Sequence, residues 1–288
     1  MRHETGSFSG RGGLTLFCQS WLPDGPSRAA LINLHGLGDH SGLYPALADH
    51  LVSLGIAVHA FDLRGHGRSE GQRAYLHDWR DYRDDLDRFV DRIGGEPKPF
   101  LLGNSLGGLI VLEYALYHGE RLAGVIAAAP ALGEVGVPRP LMALGRVMSR
   151  VWPRFSMRAG MDLSGLSRDP AAVKVLTEDP LFHRWGTARL STEVVAAMAR
   201  VTEMAPRLAV PVLLLHGSAD RMVSPEGTRA FFRRLRLADR TLIEYPGAYH
   251  ALFADLDAPA VLADLTRWIE RHLAPSAVGS GGGGGKPD

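Results

Sequence analysis

Short apolar runs recur along the chain, separated by stretches in which apolar residues return every three or four positions. Ala30–Leu34, Ile56–Phe61, Phe100–Leu102, Val125–Ala129, Val212–Leu215 and Thr241–Tyr245 are bounded by Gly, Pro or polar turns, the pattern of strands buried on both faces. Leu14–Trp21 alternates and also predicts a strand. Helices are predicted over Tyr44–Leu54, Asp78–Ile93, Leu106–His118, Pro225–Leu235 and Pro259–Leu273. In the second of these, Trp79, Tyr82, Leu86, Phe89 and Ile93 form one apolar stripe among Arg and Asp. Strand alternating with helix is the signature of an α/β fold with a mostly parallel central sheet and helices on both faces.

The rhythm breaks at residues 134–207, which show no good strand. One amphipathic pattern there carries Leu141, Leu144, Val147, Met148 and Val151; another carries Val194, Met198 and Val201. A long helical insertion between two strands of such a sheet is expected to be a cap over the functional site. The expected organisation is a core formed by residues 1–133 and 208–275, a helical cap at 134–207, and a flexible Gly-rich tail or tag at 276–288.

Composition narrows the function classes. Of 288 residues, 45% are apolar and 22% charged, and the net charge is +1, so nothing in the overall charge recruits nucleic acid. The start lacks an apolar targeting core and no run approaches a membrane span, which predicts a cytoplasmic protein. The single cysteine, Cys18, cannot form an internal disulfide.

The chemistry concentrates at strand ends. Gly103-Asn104-Ser105-Leu106-Gly107 matches G-x-S-x-G between a predicted strand and a predicted helix. There a strained turn lifts the Ser hydroxyl clear of the sheet. Gly67-Arg68-Ser69-Glu70-Gly71 also matches but sits in a loop remote from its preceding strand, and charged flanks would crowd a tight turn; Ser69 is expected to be a loop residue near the site. A nucleophilic Ser needs a base and a group to orient that base. Asp220 ends the loop after Val212–Leu215 and His250 ends the loop after Thr241–Tyr245, in the order that such folds require. Glu134, His216, His272 and His59 are the rivals. Glu134 starts the cap, His216 suits a structural role, His272 lies in the last helix and is expected to be solvated, and His59 lies within a strand. The loop His35-Gly36-Leu37-Gly38 can aim the Leu37 N–H at an oxyanion beside that of Leu106, with His35 making a structural hydrogen bond.

In order along the chain stand His35-Gly-Leu-Gly-Asp-His-Ser41, Asp62-Leu-Arg-Gly-His-Gly-Arg-Ser-Glu-Gly71, the Ser105 turn, His216-Gly-Ser-Ala-Asp220 and the His250 loop. Together they resemble the monoacylglycerol lipase and lysophospholipase group of α/β-hydrolases. That group usually has His and Met where this chain has Asn104 and Leu106. The resemblance implies a serine esterase acting on monoacylglycerols or lysophospholipid-like lipids, a Ser105–Asp220–His250 triad, Leu37 and Leu106 as oxyanion donors, and an acyl tunnel in the cap. Met142, Met148, Trp152, Phe182 and Trp185 are the expected substrate contacts there, since Met and aromatic side chains suit acyl chains of variable shape. An exposed apolar cap face would also touch a membrane or micelle transiently, making the protein peripheral at a membrane. No metal or organic cofactor is expected, because no zinc, P-loop or dinucleotide motif is present. An aminopeptidase, with Asp162, Asp169 or Asp179 holding the substrate amine, an acyltransferase on the same triad, and a non-catalytic binding protein are the alternatives.

Overall fold

The computed structural model describes residues 1–94, 97–133, 139–158 and 162–273. Glu134, Met161, the side chain of Leu141 and the tail at 276–288 lie outside them. The elements run β1 (Arg2–Ser9), β2 (Thr15–Leu22), β3 (Ala29–Leu34), α1 (Pro45–Ser53), β4 (Ile56–Phe61), α2 (Arg80–Ile93), β5 (Phe100–Asn104), α3 (Leu106–His118), β6 (Gly124–Ala128), α4 (Arg139–Val151), β7 (Ser156–Arg158), α5 (Pro170–Glu178), β8 (Trp185–Thr187), α6 (Ala188–Met204), β9 (Val212–Gly217), α7 (Pro225–Arg234), β10 (Arg240–Tyr245) and α8 (Ala258–His272). Eight strands form one sheet in the order β1-β2-β4-β3-β5-β6-β9-β10. The pairs β1–β2 and β2–β4 are antiparallel, and all the others are parallel. This is the α/β-hydrolase fold.

The central strands carry apolar residues on both faces because both faces are covered. Helices α2, α3, α6 and α7 cover one face through Tyr82, Leu86, Phe89, Leu109, Leu112, Val201 and Phe231. On the other, α1 and α8 bury Leu47, Leu51, Leu265 and Trp268. Helix α3 is buried from Leu106 to Ala115, since it lies between the sheet and other helices. In contrast α2 keeps a polar outer side and buries one stripe, as its sequence pattern requires.

Two elements depart from expectation. Strand β1 carries no apolar alternation and is exposed at nearly every position, yet pairs with β2 from Arg2↔Leu22 to Ser9↔Thr15. Its pairing is supplied by the neighbouring backbone, which a hydrophobic pattern does not register. Between β6 and β9, where no strand is expected, β7 and β8 form a three-residue antiparallel ribbon, too short to show a period.

Trp268 on α8 is fully buried and meets Phe100 edge to face at 6.0 Å. Trp268→Ala is expected to cost about 3–5 kcal/mol, measurable as a lower urea midpoint with an unchanged slope. A loss below about 1 kcal/mol would show that this end of the core repacks.

Candidate active site

Ser105 occupies the turn between β5 and α3 with φ 53°, a left-handed conformation that is costly for a residue with a side chain. Three backbone bonds hold it: its N–H donates to Ala128 O (3.0 Å), and its carbonyl accepts from Leu109 N (3.1 Å) and Ala131 N (3.0 Å). Glycine is required on either side. A Cβ at Gly103 would overlap the Gly107 carbonyl, and one at Gly107 would overlap the carbonyl oxygens of Leu34 and His35. The same close packing brings the loop after β3 to the Ser, with the Cβ position of Gly36 only 3.3 Å from Ser105 Cβ. Leu37 belongs to that loop and Leu106 is the first residue of α3; among the described residues neither N–H donates to another protein group.

His35 is fully buried between two backbone groups. Its Nε2 accepts from Leu63 N (2.9 Å), so Nδ1 carries the proton and donates to Gly36 O (2.8 Å). It therefore ties this loop to the segment after β4, and it does not reach the pocket.

Asp220 and His250 come together because the loops after β9 and β10 touch. At Gly217 a Cβ would overlap the carbonyls of Ala248 and Tyr249, so only glycine allows this approach. Asp220 Oδ1 accepts from Met222 N (2.8 Å) and Val223 N (3.0 Å), while Oδ2 accepts from His250 Nδ1 (2.7 Å). Proton donation by Nδ1 leaves the lone pair on Nε2 of His250. His250 and Ser105 line the same pocket, although among the described residues they form no direct hydrogen bond. Such bonds commonly tighten only once substrate is bound.

A fourth group meets the carboxylate. His216, fully buried, has Nε2 3.2 Å from Asp220 Oδ2 and 3.1 Å from Val223 O, so Nε2 faces two acceptors and holds the proton. Its Nδ1 then accepts from Thr228 Oγ1 (2.8 Å). Burial pushes the Asp220 carboxyl upward, but the bonds from His216 and His250 outweigh it and hold the group well below the ordinary carboxylate range. Asp220 is thus a fixed negative charge at any working pH.

The pocket, about 450 Å³, has a mixed lining. Asp39, Tyr44, Asn104, Asp162 and Arg221 are its polar members. Leu163, Leu166, Leu176, Phe182, Met222, Val223 and Phe253 are among its apolar ones. Burial raises the Asp39 carboxyl, while the Tyr44 hydroxyl donates to its Oδ2 at 3.4 Å. Asn104 is buried and its Oδ1 has no partner.

Of the five expected cap contacts, only Phe182 lines this pocket. Met142, Met148, Trp152 and Trp185 do not. Helix α4 packs on α6, where Ser149 Oγ meets Thr192 Oγ1 at 2.8 Å, and Leu144, Val147, Val151 and Trp152 are left exposed. The part of the α4 apolar stripe formed by Leu144, Val147 and Val151 therefore faces outward. The pocket wall comes instead from Leu163 and Leu166, in an irregular stretch, and from Leu176 on the short helix α5. Ser69 is buried away from the pocket, accepting from Phe17 N and donating to Asp62 O. His59 bonds Ser20 Oγ at 2.8 Å. His272 is not solvated but half-buried between Trp268 O and Asp239.

Fold and site together define an α/β-hydrolase with a serine at the nucleophile turn. The chain belongs to the family described as serine aminopeptidase, S33, which matches residues 25–257. It is 33% identical to a monoacylglycerol lipase of Mycolicibacterium smegmatis over 93% of this chain and 97% of that protein. With a human monoglyceride lipase it shares 34% identity over 93% of this chain and 91% of that one. The crystal structure of a Paleococcus ferrophilus monoacylglycerol lipase superposes with a TM-score of 0.82 at 36% identity, covering 94% of this chain and all of that one. The chain is a carboxylic ester hydrolase. Among the described residues no helix is long and apolar enough to cross a membrane.

A pH dependence follows from the histidines behind the loop. The rings of His35, His66 and His183 follow one another at tilted angles, with centroids 5.3 and 4.7 Å apart. Burial holds His183 down from 6.5 to about 4, and His59 to about 4 likewise. Between these values the unfolded chain binds a proton that the folded protein does not. Stability should therefore fall as pH drops from about 6.5 to 4, by up to ~3 kcal/mol per group. Urea midpoints at pH 7, 5.5 and 4.5 would show this decline, shallower in His183→Asn; an equal slope in the variant would acquit His183.

Proposed function

We propose that the protein hydrolyses monoacylglycerols or lysophospholipid-like acyl esters through an acyl-enzyme on Ser105. The observation that carries this reading is the 2.7 Å Asp220–His250 bond beside a strained Ser105 on the wall of one pocket. In the first step His250 Nε2 takes the Ser105 proton as Oγ attacks the ester carbonyl, and Asp220 stabilises the imidazolium that forms. The Leu37 and Leu106 N–H groups hold the oxyanion, each contributing on the order of 3 kcal/mol. His250 then protonates the departing alcohol, and water attacks the acyl-enzyme by the reverse proton path.

In this reading residues 134–207 act as the cap, with the acyl chain lying against Leu163, Leu166, Leu176 and Phe182. The aminopeptidase alternative has less support. Asp169 caps α5 through Ala171 N, Asp179 lies against His40, and Asp162 accepts from Ser164. Asp169 and Asp179 do not line the pocket, and Asp162, which does, has one oxygen taken by Ser164.

A fluorophosphonate probe and a panel of C4–C16 monoacyl esters, run on wild type and Ser105→Ala, test the reading. Labelling should vanish in the variant and turnover should fall at least about 10⁴-fold. Labelling without ester turnover in wild type, with cleavage of aminoacyl arylamides, would overturn it in favour of the amidase. The exposed α4 face carries the proposed membrane contact. Replacing Val147 and Val151 by Asp should weaken cosedimentation with vesicles by roughly tenfold per residue, since each such side chain contributes about 1.5 kcal/mol when buried. Unchanged sedimentation would remove that contact from the reading.

A further inference from the structure

Segments of the insertion between β6 and β9 are bonded to both loops that carry the proposed catalytic groups. The first runs from Gly165 to Arg168. The His250 N–H donates to Gly165 O (3.4 Å) and the Ala251 N–H to Leu166 O (2.7 Å), so the backbone carrying the base is bonded across to the insertion. Two residues later, Ser167 Oγ donates to Ala254 O (2.8 Å). Arg168 donates from its N–H (2.8 Å) to Asp255 Oδ1 and from Nε (3.0 Å) to Oδ2. The Asp255 side chain is fully buried, and its Oδ2 also accepts from Tyr249 N (2.8 Å), the residue before His250. A chain of bonds thus leads from Arg168 through Asp255 to the backbone of His250.

The second segment runs from Asp179 to His183. The His183 N–H donates to Gly38 O (3.0 Å), next to Leu37. Gly38 has φ +84°, and a Cβ there would overlap the His183 carbonyl, so the two strands of backbone are in direct contact. His40 Nδ1 accepts from Gly42 N (3.2 Å), which leaves the proton on the buried Nε2; that atom has no hydrogen-bond partner among the described residues, and Asp179 Oδ2, 3.2 Å away, meets it as a close charge contact. Asp179 in turn caps its own turn by accepting from Leu181 N (2.7 Å).

We infer that Arg168 and Asp179 are positioning residues for ester hydrolysis: Arg168 sets the His250 loop through Asp255, and Asp179 sets the Leu37 oxyanion loop through His40. The insertion is thereby part of the catalytic apparatus as well as its cover. The physical ground is that both loops are irregular backbone, which neither helix nor sheet bonds can fix, and misplacement by about 1 Å can cost on the order of 100-fold in rate. This inference rests on the Ser105–His250–Asp220 reading.

The test separates a cover from a scaffold by substrate length. A cover matters only to substrates whose acyl chain reaches it; a scaffold matters to all. Arg168→Leu, Arg168→Lys, Asp179→Asn and wild type are compared on a butyrate ester and on a palmitoyl monoester, with Ser105→Ala as the blank and urea midpoints taken for each. Arg168→Leu and Asp179→Asn are expected to lower kcat about 10- to 100-fold on both esters with KM changed less than about threefold. Arg168→Lys should recover part of the loss. Affinity for an alkyl boronic acid, which binds as the tetrahedral adduct, should fall in step with kcat in Asp179→Asn, while affinity for an uncleavable ether of equal length stays level. Loss confined to the palmitoyl ester, or a kcat loss with unchanged boronate affinity, would overturn the inference. Asp179→Asn keeps it testable if Arg168→Leu fails to fold, because its side chain is partly solvated and the exchange is nearly isosteric. If Ser105→Ala retained wild-type turnover, the underlying reading would fail first, and that outcome is distinct from the others.

Discussion

Close approach of backbone to backbone at the carboxyl ends of the parallel strands governs the arrangement of this protein. Gly103 and Gly107 let α3 start directly against β5 and the end of β3, and Gly217 lets the loop after β9 meet the loop after β10. A methyl group at any of these positions would drive carbonyl oxygens apart. Because the strands are in register (Leu34 beside Gly103, Asn104 beside Ala128, Tyr245 beside Gly217), those contacts fall at one level of the sheet. Ser105, the Leu37 loop, Asp220 and His250 are consequences of that level. The strain at Ser105 persists because β6 and α3 hold its backbone from both sides.

Charge is managed by the same economy of contact. Asp220 is buried, and an unpaired carboxylate there would be costly. It meets two backbone N–H groups on one oxygen and two imidazoles on the other, so its lone pairs are directed in four fixed ways. His216 does more than fill space. Its tautomer is set by Val223 O and Thr228, and it presents a donor to the oxygen that orients His250. Behind the Leu37 loop the logic is reversed. His35 and His66 are held low by burial, so these imidazoles stay neutral and place no cation near the site.

Much of this was legible in the residues alone. Five strands buried on both faces (β3, β4, β5, β6 and β9) announce themselves as apolar runs between turns, and α2 through its single stripe; the sixth run, Thr241–Tyr245, is the edge strand β10, mostly half-buried because nothing among the described residues pairs beyond it. Asp220 and His250 stand out because each ends a loop after such a run. Strand β1 is silent, since Arg2–Ser9 buries almost nothing and takes its order from β2. The expected contacts Met142, Met148, Trp152 and Trp185 do not line the pocket, for a related reason. An amphipathic stripe such as Leu144, Val147 and Val151 shows that a helix has an apolar face, without showing whether protein, lipid or substrate covers it. Of the leucines that do line the pocket, Leu163 and Leu166 lie in an irregular turn and Leu176 on the nine-residue α5, too short for a period to mark it clearly. Asp39 and Tyr44 were within reach of sequence reasoning, because both follow the oxyanion loop closely and that loop was already placed beside Ser105.

The mixed lining of the pocket bears on what it can hold. Apolar side chains from the insertion, with Met222 and Phe253, can take a hydrocarbon chain by exclusion of water, which favours length without demanding shape. Asp39, Tyr44, Asp162 and Arg221 line the same space, so a wholly apolar ligand would strip water from charged and polar groups without replacing its hydrogen bonds. Asn104 takes no part in that balance, because its Oδ1 is buried within the protein. A ligand with both a polar and an apolar part is favoured over one that is apolar throughout.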